Sequence, residues 1–321
     1  MKINVHQLRS FVTVVDSGGI HRAAARLNLS QPALSRQINA LEAALGITLF
    51  DRVGRRLKLT AEGEGLLRLS RHLLGEVEAF SERASALKKG ETGILRVAAT
   101  PQVIENTLSH FLGRYRRRYP GVEVQLVEDG GIAMPRRLEF GDVHLALMAV
   151  DDPRFRTRLL YPVRGLAVMP NGHKLGSRRI IEVAELADQP LLLLRSEFAS
   201  RAWFETACRL GRIRPRVLLE SGAPHTVIAL AAAGYGIAVV PSTVVIPAGR
   251  VRGIPLIQRG AVVGRWLRIA WQPERFLSVF AQRFIDELWA HCRRSYPGRE
   301  FNRHAPALPR PGGDVRPART D

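Results

Sequence analysis

The chain has 321 residues, 46% hydrophobic and 24% charged, a composition typical of a globular protein with room for two or three domains. Its formal charge of +19 favours a polyanionic partner or an acidic membrane surface. No signal-peptide pattern opens the chain, and the longest apolar run, residues 227–240, is too short and too often interrupted by glycine to cross a bilayer. We therefore expect a soluble cytoplasmic protein without a membrane partner.

Three short helices are predicted in the first 50 residues. Apolar residues at helical spacing predict a first helix that a Ser-Gly-Gly turn ends at residues 17–19, and a second helix over Ile20–Leu27. Ser30 then caps a third helix, with Pro32 in the first turn, where a missing N–H costs little. Two helices joined by so short a turn are typical of a helix-turn-helix.

The third helix has two contrasting faces. One is apolar, is expected to be buried, and consists of Leu34, Ile38, Leu41 and Leu45. The opposite face is short and polar, and carries Gln31, Pro32, Ser35, Arg36, Asn39 and Ala43. Gln and Asn can hydrogen-bond base edges, Arg can pair with guanine or phosphate, and small residues permit close approach. The pattern therefore predicts a helix that enters the DNA major groove by its N-terminal end.

A hairpin is predicted directly after the third helix. The segments "ITLFDR" and "LKLT" alternate as two short strands around "VGRR", whose tip carries Arg55 and Arg56. Such a wing can lay arginines into the neighbouring minor groove, where the negative potential favours guanidinium. The alternative is an exposed hairpin made soluble by its charges.

Thr60 is expected to cap a long helix from about residue 61 to residue 88. A stripe in steps of four and three follows it, as in coiled coils, and consists of Leu66, Ser70, Leu73, Val77, Phe80, Ala84 and Leu87. The partner of this stripe lies either in the same chain or in a second copy. Because the helix leads into the glycine-containing segment "KKGETG", we favour pairing into a homodimer.

From Ile94 onward, apolar runs alternate with amphipathic helices, which is typical of an α/β domain with a largely parallel sheet. The first set runs from "ILRVAAT" to "VHLALMAV" and the second from "GLAVMP" to "GIAVVP". Near the end, "WLRIAW" and a helix over residues 276–294 are expected to return to the first set. The Pro-, Gly- and Arg-rich residues 296–321 are predicted to form a disordered basic tail.

Two strand-to-helix junctions of this domain are candidate ligand-binding positions, because ligands bind at the carboxyl ends of strands, near helix N-termini. The candidates there and nearby are Thr100, Pro101, Gln102, Met148, Ser196, Phe198, Arg201 and His225. Arg195 or Arg201 could pair with a carboxylate-bearing metabolite. Alternatively, Thr100 and Ser196 are only helix caps, and the arginines are solvated surface charges.

Four segments carry a family resemblance: "QLRSFVTVVDSGG", "RAAARLNLSQPALSRQINALEAALGITLFDR", "RRLKLTAEGEGLL" and, more weakly, "AAAGYGIAVVPSTVV". They resemble the LysR-type transcriptional regulators, densely over the first 65 residues and by element order up to about residue 295. The resemblance implies a winged helix-turn-helix over residues 1–60, a dimerising linker helix over 61–89 and a two-lobed, periplasmic-binding-protein-like effector domain over 90–295. Lobe one is expected at 93–162 and 268–295, and lobe two at 163–267.

The resemblance also implies functional positions. The groove-facing positions of the family correspond to Gln31, Pro32, Ser35 and Arg36, with Arg55 in the wing. Family members are commonly homotetramers in which a small-molecule effector between the lobes alters the bending of promoter DNA. The chain departs from the family pattern at Gly19, Ile20 and His21, which puts a phosphate contact at His21 in doubt and leaves the second helix without a side-chain cap.

Three rival functions are considered. An enzyme would need a nucleophile motif, a metal cluster or a P-loop, and the sequence contains no G-x-S-x-G, H-E-x-x-H or Walker motif, so we expect no catalysis, metal or cofactor. A sequence-nonspecific architectural DNA binder fits the charge, but the basic residues are spread along the whole chain. A peroxide sensor would use Cys208, although neither this residue nor Cys292 belongs to a C-x-x-C pair, and buried helix cysteines are the commoner interpretation. The sequence thus predicts a sequence-specific transcriptional regulator controlled by a small-molecule effector.

Overall fold

A computed structural model describes residues 3–53, 56–89, 92–303 and 305–310 of the chain. The chain divides into two compact units, one of Met1–Lys88 with Glu139–Asp142 and one of Lys89–Leu138 with Val143–Asp321. Within the described ranges, none of the helices has both the length and the apolar character needed to cross a bilayer.

The first unit begins with three helices. These are α1 (Val5–Ser17), α2 (Ile20–Leu27) and α3 (Gln31–Leu45). The Ser30 hydroxyl accepts the Ala33 N–H at 3.3 Å and caps α3, and Gly46 ends α3 in the left-handed conformation, so both predicted ends are confirmed. Gly19 precedes α2 and gives it no side-chain cap, as expected.

One apolar cluster holds these helices together. Its buried members are Phe11, Val14, Ala23, Ala24, Leu34, Ile38, Leu41 and Leu49. The rings of Phe11 and Phe50 meet edge to face at 5.5 Å between centroids. Each of the three helices contributes at least two buried side chains. Removal of any one helix would therefore expose the cluster to water.

The predicted wing is a two-stranded antiparallel hairpin of β1 (Phe50–Val53) and β2 (Arg56–Leu59). The Glu42 carboxylate of α3 accepts the N–H of Leu49 at 2.7 Å and that of Phe50 at 3.3 Å. These two hydrogen bonds tie the base of the wing to α3.

The long helix of the first unit, α4, spans Ala61–Lys89. Thr60 caps it as predicted, because the Gly63 N–H donates to the Thr60 hydroxyl at 2.9 Å. A Cβ at Gly63 would lie only 2.4 Å from the carbonyl oxygen of Leu49. The start of α4 therefore packs so closely against the chain before the wing that only glycine fits.

The first lobe of the second unit is built on three parallel strands in the order β4-β3-β5. Its elements are β3 (Gly93–Ala99), α5 (Pro101–Val103), a π-helical turn (Ile104–Leu108), α6 (Ser109–Arg118), β4 (Val122–Glu128), α7 (Met134–Phe140) and β5 (Leu145–Met148). The π turn lies between α5 and α6.

The second lobe contains another parallel set, in the order β10-β8-β9. Its elements are β6 (Arg156–Pro170), 3-10 turns (Lys174–Ser177 and Val183–Leu186), β7 (Ile181–Glu182), β8 (Pro190–Leu194), α8 (Ala199–Gly211), β9 (Arg216–Ser221), α9 (Pro224–Ala232), β10 (Ile237–Pro241), β11 (Val251–Gln258) and β12 (Ala261–Val262). The strand β13 (Gly264–Trp271) and the helix α10 (Val279–Arg294) follow.

One long strand, β6, connects the lobes. From Arg156 to Arg164, β6 pairs with β13, which also pairs with β5 of the first lobe. From Gly165 onward, β6 pairs with β10 and β11 of the second lobe. The chain therefore passes from one lobe to the other inside a single strand, at residues 164 and 165.

The prediction of a disordered tail from residue 296 is wrong for the part of it that the structure describes. Arg299–Arg303 forms a 3-10 turn, and Phe301 packs against the apolar cluster of the second lobe. The Tyr296 ring stacks on Tyr161 at 4.9 Å between centroids. Aromatic side chains thus anchor a segment whose composition predicts disorder, while residues 304 and 311–321 lie outside the described ranges.

Candidate functional site

The polar face predicted on α3 is exposed in the first unit. Its apolar face is buried at Leu34, Ile38 and Leu41, as the helical spacing predicts. On the opposite side Gln31, Pro32, Arg36 and Asn39 are exposed and Ser35 is half-buried. We call these five polar-side residues the reading face.

The neighbours of the reading face fix its position. The Gln31 amide lies 2.8 Å from the Nδ1 atom of His21, so the N-terminal ends of α2 and α3 are hydrogen-bonded to each other. On the flank of α3, the Ser10 hydroxyl donates to the Gln37 amide oxygen. Among the described residues, no carboxylate pairs with Arg36. Its guanidinium therefore remains available to a partner.

The two arginines predicted at the tip of the wing are Arg55 and Arg56. Arg55 lies outside the described residues, and for Arg56 the structure gives the backbone alone, paired with Val53. The role predicted for these two residues in the minor groove therefore stays a prediction.

The predicted stripe on α4 is buried near the start of the helix and exposed further along. Leu66 packs with the core of the first unit and Ser70 is buried. Further along, Leu73 is 43% exposed and Phe80 is 75% exposed. Large apolar side chains on the surface of a long helix are typical of a contact surface.

In the second unit, a cavity of about 40 Å³ lies at the carboxyl ends of β3, β5 and β8. We call it the inter-lobe cavity, because both lobes contribute to its walls. It is lined by Thr100, Gln102, Val103, Gly130, Gly131, Leu147, Met148, Ala149, Val163, Phe198, Ala199, Ser200, Trp203, Pro241, Thr243 and Leu267. None of these lining residues is charged, so the cavity is apolar with a few neutral polar groups.

Four of the predicted effector residues line the cavity: Thr100, Gln102, Met148 and Phe198. Thr100 occupies the N-cap position of α5, but its side chain makes no capping hydrogen bond. The Gln102 side chain is only 2% exposed, and its Nε2 atom has no hydrogen-bond partner among the described residues. A buried donor without a partner costs about 1–3 kcal/mol, and a bound acceptor oxygen would recover this energy.

The other four predicted residues, Pro101, Ser196, Arg201 and His225, do not line the cavity. The Arg201 guanidinium is committed to the Glu205 and Glu220 carboxylates, at 2.8 and 2.7 Å. His225 instead faces Glu105, with 3.1 Å between Nε2 and Oε2. Arg195 is an exposed surface charge 3.8 Å from Glu197. No arginine of the described residues lines this cavity, so none of them is placed to pair with a carboxylate there.

Hydrogen bonds between the two lobes surround the cavity. Gly131 and Phe198 form an isolated antiparallel bridge. On the side of the π turn, the Asn106 amide donates to the Thr243 carbonyl at 3.0 Å. A Cβ at Gly130 would lie 2.7 Å from the backbone of Glu197, so the lobes approach each other through glycine.

Comparison with known proteins connects both units to one family. Residues 5–64 match the bacterial regulatory helix-turn-helix proteins of the lysR family, and residues 88–293 match the LysR substrate binding domain. The chain belongs to the LysR family of transcriptional regulators. It is therefore a DNA-binding transcriptional regulator with an effector-binding domain.

Individual relatives agree with this assignment. The uncharacterized HTH-type transcriptional regulator YybE of Bacillus subtilis is 30% identical over 291 residues, covering 89% of this chain and 98% of the relative. A full-length OxyR variant from Pseudomonas aeruginosa superposes with a TM-score of 0.69 at 25% identity, covering 91% of this chain and 95% of that structure. Full-length CbnR, solved in complex with its target DNA, shares the fold with a TM-score of 0.61 at 23% identity, over 90% of this chain and all of that one. The relatives are regulators, not enzymes.

The two cysteines of this LysR-family protein are poorly suited to sense peroxide. Both are buried, and burial raises the pKa of the Cys208 thiol to about 11 and that of Cys292 to about 12. Since the thiolate is the reactive form, neither side chain is activated at neutral pH. This favours the interpretation of buried helix cysteines.

Sequence reasoning missed several cavity residues of this regulator. Trp203 lies one turn into α8, and Thr243 follows β10. The helical spacing of Trp203 predicts only that it is buried. Thr243 follows β10, and the next element is the strand β11, so the pattern of a strand followed by a helix does not select it. His21 was in doubt as a phosphate contact, and its hydrogen bond to Gln31 places it beside the reading face.

Proposed function

We propose that the protein binds a promoter site of two-fold symmetry, with the reading face of α3 in the major groove. The observation that carries this proposal is an exposed polar face opposite a largely buried apolar one on the same helix. In this arrangement Gln31, Ser35, Arg36 and Asn39 contact base edges, and Pro32 offers an apolar contact. Arg55 and Arg56 contribute affinity through the backbone and the minor groove. A regulator of this kind acts on the chromosome, and we place it in the cytoplasm.

A footprint on genomic DNA at physiological salt, with competitor DNA present, tests this assignment. We expect protection of one or a few sites with dyad symmetry. Uniform protection that follows only the salt concentration would favour the architectural, nonspecific alternative.

Two matched variants separate base reading from backbone contact. Arg36→Ala should weaken binding to the footprinted site by about 1–3 kcal/mol and leave random DNA nearly unaffected. Arg55→Ala should weaken both to the same extent, because a phosphate or minor-groove contact carries little sequence information. If Arg36→Ala weakened binding to both DNAs equally, Arg36 would not contact base edges.

The exposed stripe of α4 is proposed to pair with the same helix of a second copy, and dimers are expected to associate into a homotetramer. Phe80→Glu places a charge at a side chain that is 75% exposed, so it should break the pairing without unfolding the chain. Light scattering should report a smaller mass for this variant than for the unmodified protein. An exposed position elsewhere on the helix, Arg68→Glu, serves as the control and should leave the mass unchanged.

The effector is proposed to bind in the inter-lobe cavity through an acceptor oxygen facing Gln102 Nε2. The uncharged lining favours a carbonyl or hydroxyl oxygen over the carboxylate that the sequence suggested. Trp203 lines the cavity, so its fluorescence reports binding. At equal concentration, acetamide should change this fluorescence more than acetate does, and the reverse order would restore the carboxylate hypothesis.

A further inference from the structure

A second cavity lies in the second unit and shares no lining residue with the inter-lobe cavity. Its volume is about 260 Å³, which approaches the ~300 Å³ at the lower end of pockets for drug-sized ligands. The side chains that matter for its chemistry are Arg178, Arg179, Arg252, Arg303, Glu300 and Phe301. We call it the arginine pocket.

Three separate chain segments build this pocket. Arg178 and Arg179 precede β7, Arg252 lies on β11, and Glu300, Phe301 and Arg303 belong to the 3-10 turn after α10. That turn follows residue 293, where the match to the LysR substrate binding domain ends. The pocket therefore depends on an extension beyond the family domain.

The extension is held in place by specific contacts. Phe301 packs against the apolar cluster of the second lobe. The buried Arg164 donates to the Asn302 side chain and, at 3.3 Å, to the Pro306 carbonyl. The Trp266 indole N–H donates to the Pro309 carbonyl at 3.1 Å. These contacts hold the segment that carries Arg303, a residue of the pocket lining.

The charge of the pocket is poorly balanced. Arg178 pairs with Glu185 at 3.3 Å, but for Arg179, Arg252 and Arg303 no ion pair with a carboxylate is found in the described part of the chain. Glu300 is the one acidic residue of the lining. Several guanidinium groups around a concave surface repel one another and match phosphate or carboxylate oxygens in bidentate geometry.

We propose that the arginine pocket binds a compact polyanionic metabolite with phosphate or carboxylate groups, as a second ligand of this regulator. The concave shape favours such a molecule over duplex DNA, which contacts projecting helices and hairpins. Two ligands of different chemistry, one neutral in the inter-lobe cavity and one anionic here, would give the second unit two inputs. The proposal does not depend on the identity of the first ligand.

Calorimetry of the full-length protein with pyrophosphate and with citrate, at matched ionic strength, tests the proposal. We expect the double variant Arg252→Gln with Arg303→Gln to bind its preferred anion at least tenfold more weakly than the unmodified protein. The control, Arg214→Gln with Arg216→Gln, removes the same charge from exposed positions outside the pocket and should bind normally. Preference for pyrophosphate indicates a phosphorylated ligand, and preference for citrate a polycarboxylate.

A second pair of variants tests the contribution of the extension. A Cβ at Gly298 would lie 2.6 Å from Ser242, so Gly298→Ala should displace the 3-10 turn and weaken anion binding. Gly249→Ala has a similarly positive φ of +89° but open space around the added Cβ, and should bind normally. Equal anion affinity in the pocket double variant and its control, or no measurable binding of either anion, would overturn the proposal.

Discussion

The reading face and the inter-lobe cavity are built in opposite ways. The reading face belongs to one helix, its side chains are exposed, and its scaffold lies behind it in the core of the first unit. The cavity collects residues from several strand ends and helix starts of the second unit, and its lining is largely buried. A substitution on the reading face should therefore change binding alone, whereas a substitution in the cavity should change stability and binding together.

The largest expected effect concerns the scaffold behind the reading face. Gly63→Ala places a Cβ 2.4 Å from the Leu49 carbonyl oxygen, so it should destabilise the first unit by about 3 kcal/mol. Gly65→Ala, two residues along the same helix, meets nothing within 4 Å and should stabilise by about 0.5–1 kcal/mol through helix propensity.

Hydrogen exchange of peptides from residues 3–53 measures this difference, because the first unit contains no tryptophan or tyrosine. If Gly63→Ala lost DNA binding while exchange stayed slow, the glycine would act in the interface and not in the scaffold. Binding by the reading face and stability from the residues behind it would then not be separate properties of the first unit.

The second effect is a pH dependence confined to the second unit. Burial, followed by the nearby charges of Arg96 and Arg275, lowers the pKa of His144 to about 4 from an ordinary value of 6.5. As the pH falls, His144 is therefore protonated in the unfolded chain before it is protonated in the folded protein. The contribution of His144 to the free energy of unfolding is fully present above pH 6.5 and is lost as the pH falls toward 4. The loss should amount to at most about 3 kcal/mol.

Urea unfolding followed by tryptophan fluorescence measures this loss, because all four tryptophans lie in the second unit. The Arg96 N–H donates to His144 Nδ1 at 3.0 Å, and His144→Asn keeps an acceptor there while removing the titration. This variant should reduce the dependence between pH 4 and 6.5, whereas the exposed His110→Asn should not. An unchanged slope in His144→Asn would assign the pH dependence to other groups.

Local sequence signals are sufficient to predict the reading face of the first unit. They are insufficient to predict the inter-lobe cavity of the second unit. Helical spacing, the Ser30 cap and Gly46 determine α3 and hence the reading face, because all of these signals lie within 17 residues of the chain. The start of β6 and the whole of β11 were not predicted, since their pairing depends on distant strands. The sequence places Thr100 and Gln102 at a strand end, but it does not show that Arg201 pairs with Glu205 and with Glu220, the second of which lies on β9.

The smallest expected effect addresses the cavity itself. Gln102→Met removes a buried donor that has no partner in the described structure, at nearly constant volume. We expect the free energy of unfolding to rise by about 1 kcal/mol, while the fluorescence response to acetamide is lost.

Thr107→Val provides the matched contrast. Its buried hydroxyl lies 2.7 Å from the Tyr161 hydroxyl, so this variant leaves a buried group without a partner and should destabilise the unit by about 1–2 kcal/mol. The two variants therefore shift the urea midpoint in opposite directions if Gln102 serves a ligand. If Gln102→Met destabilises as Thr107→Val does, the amide serves the fold, and the cavity loses the buried donor proposed to bind an effector.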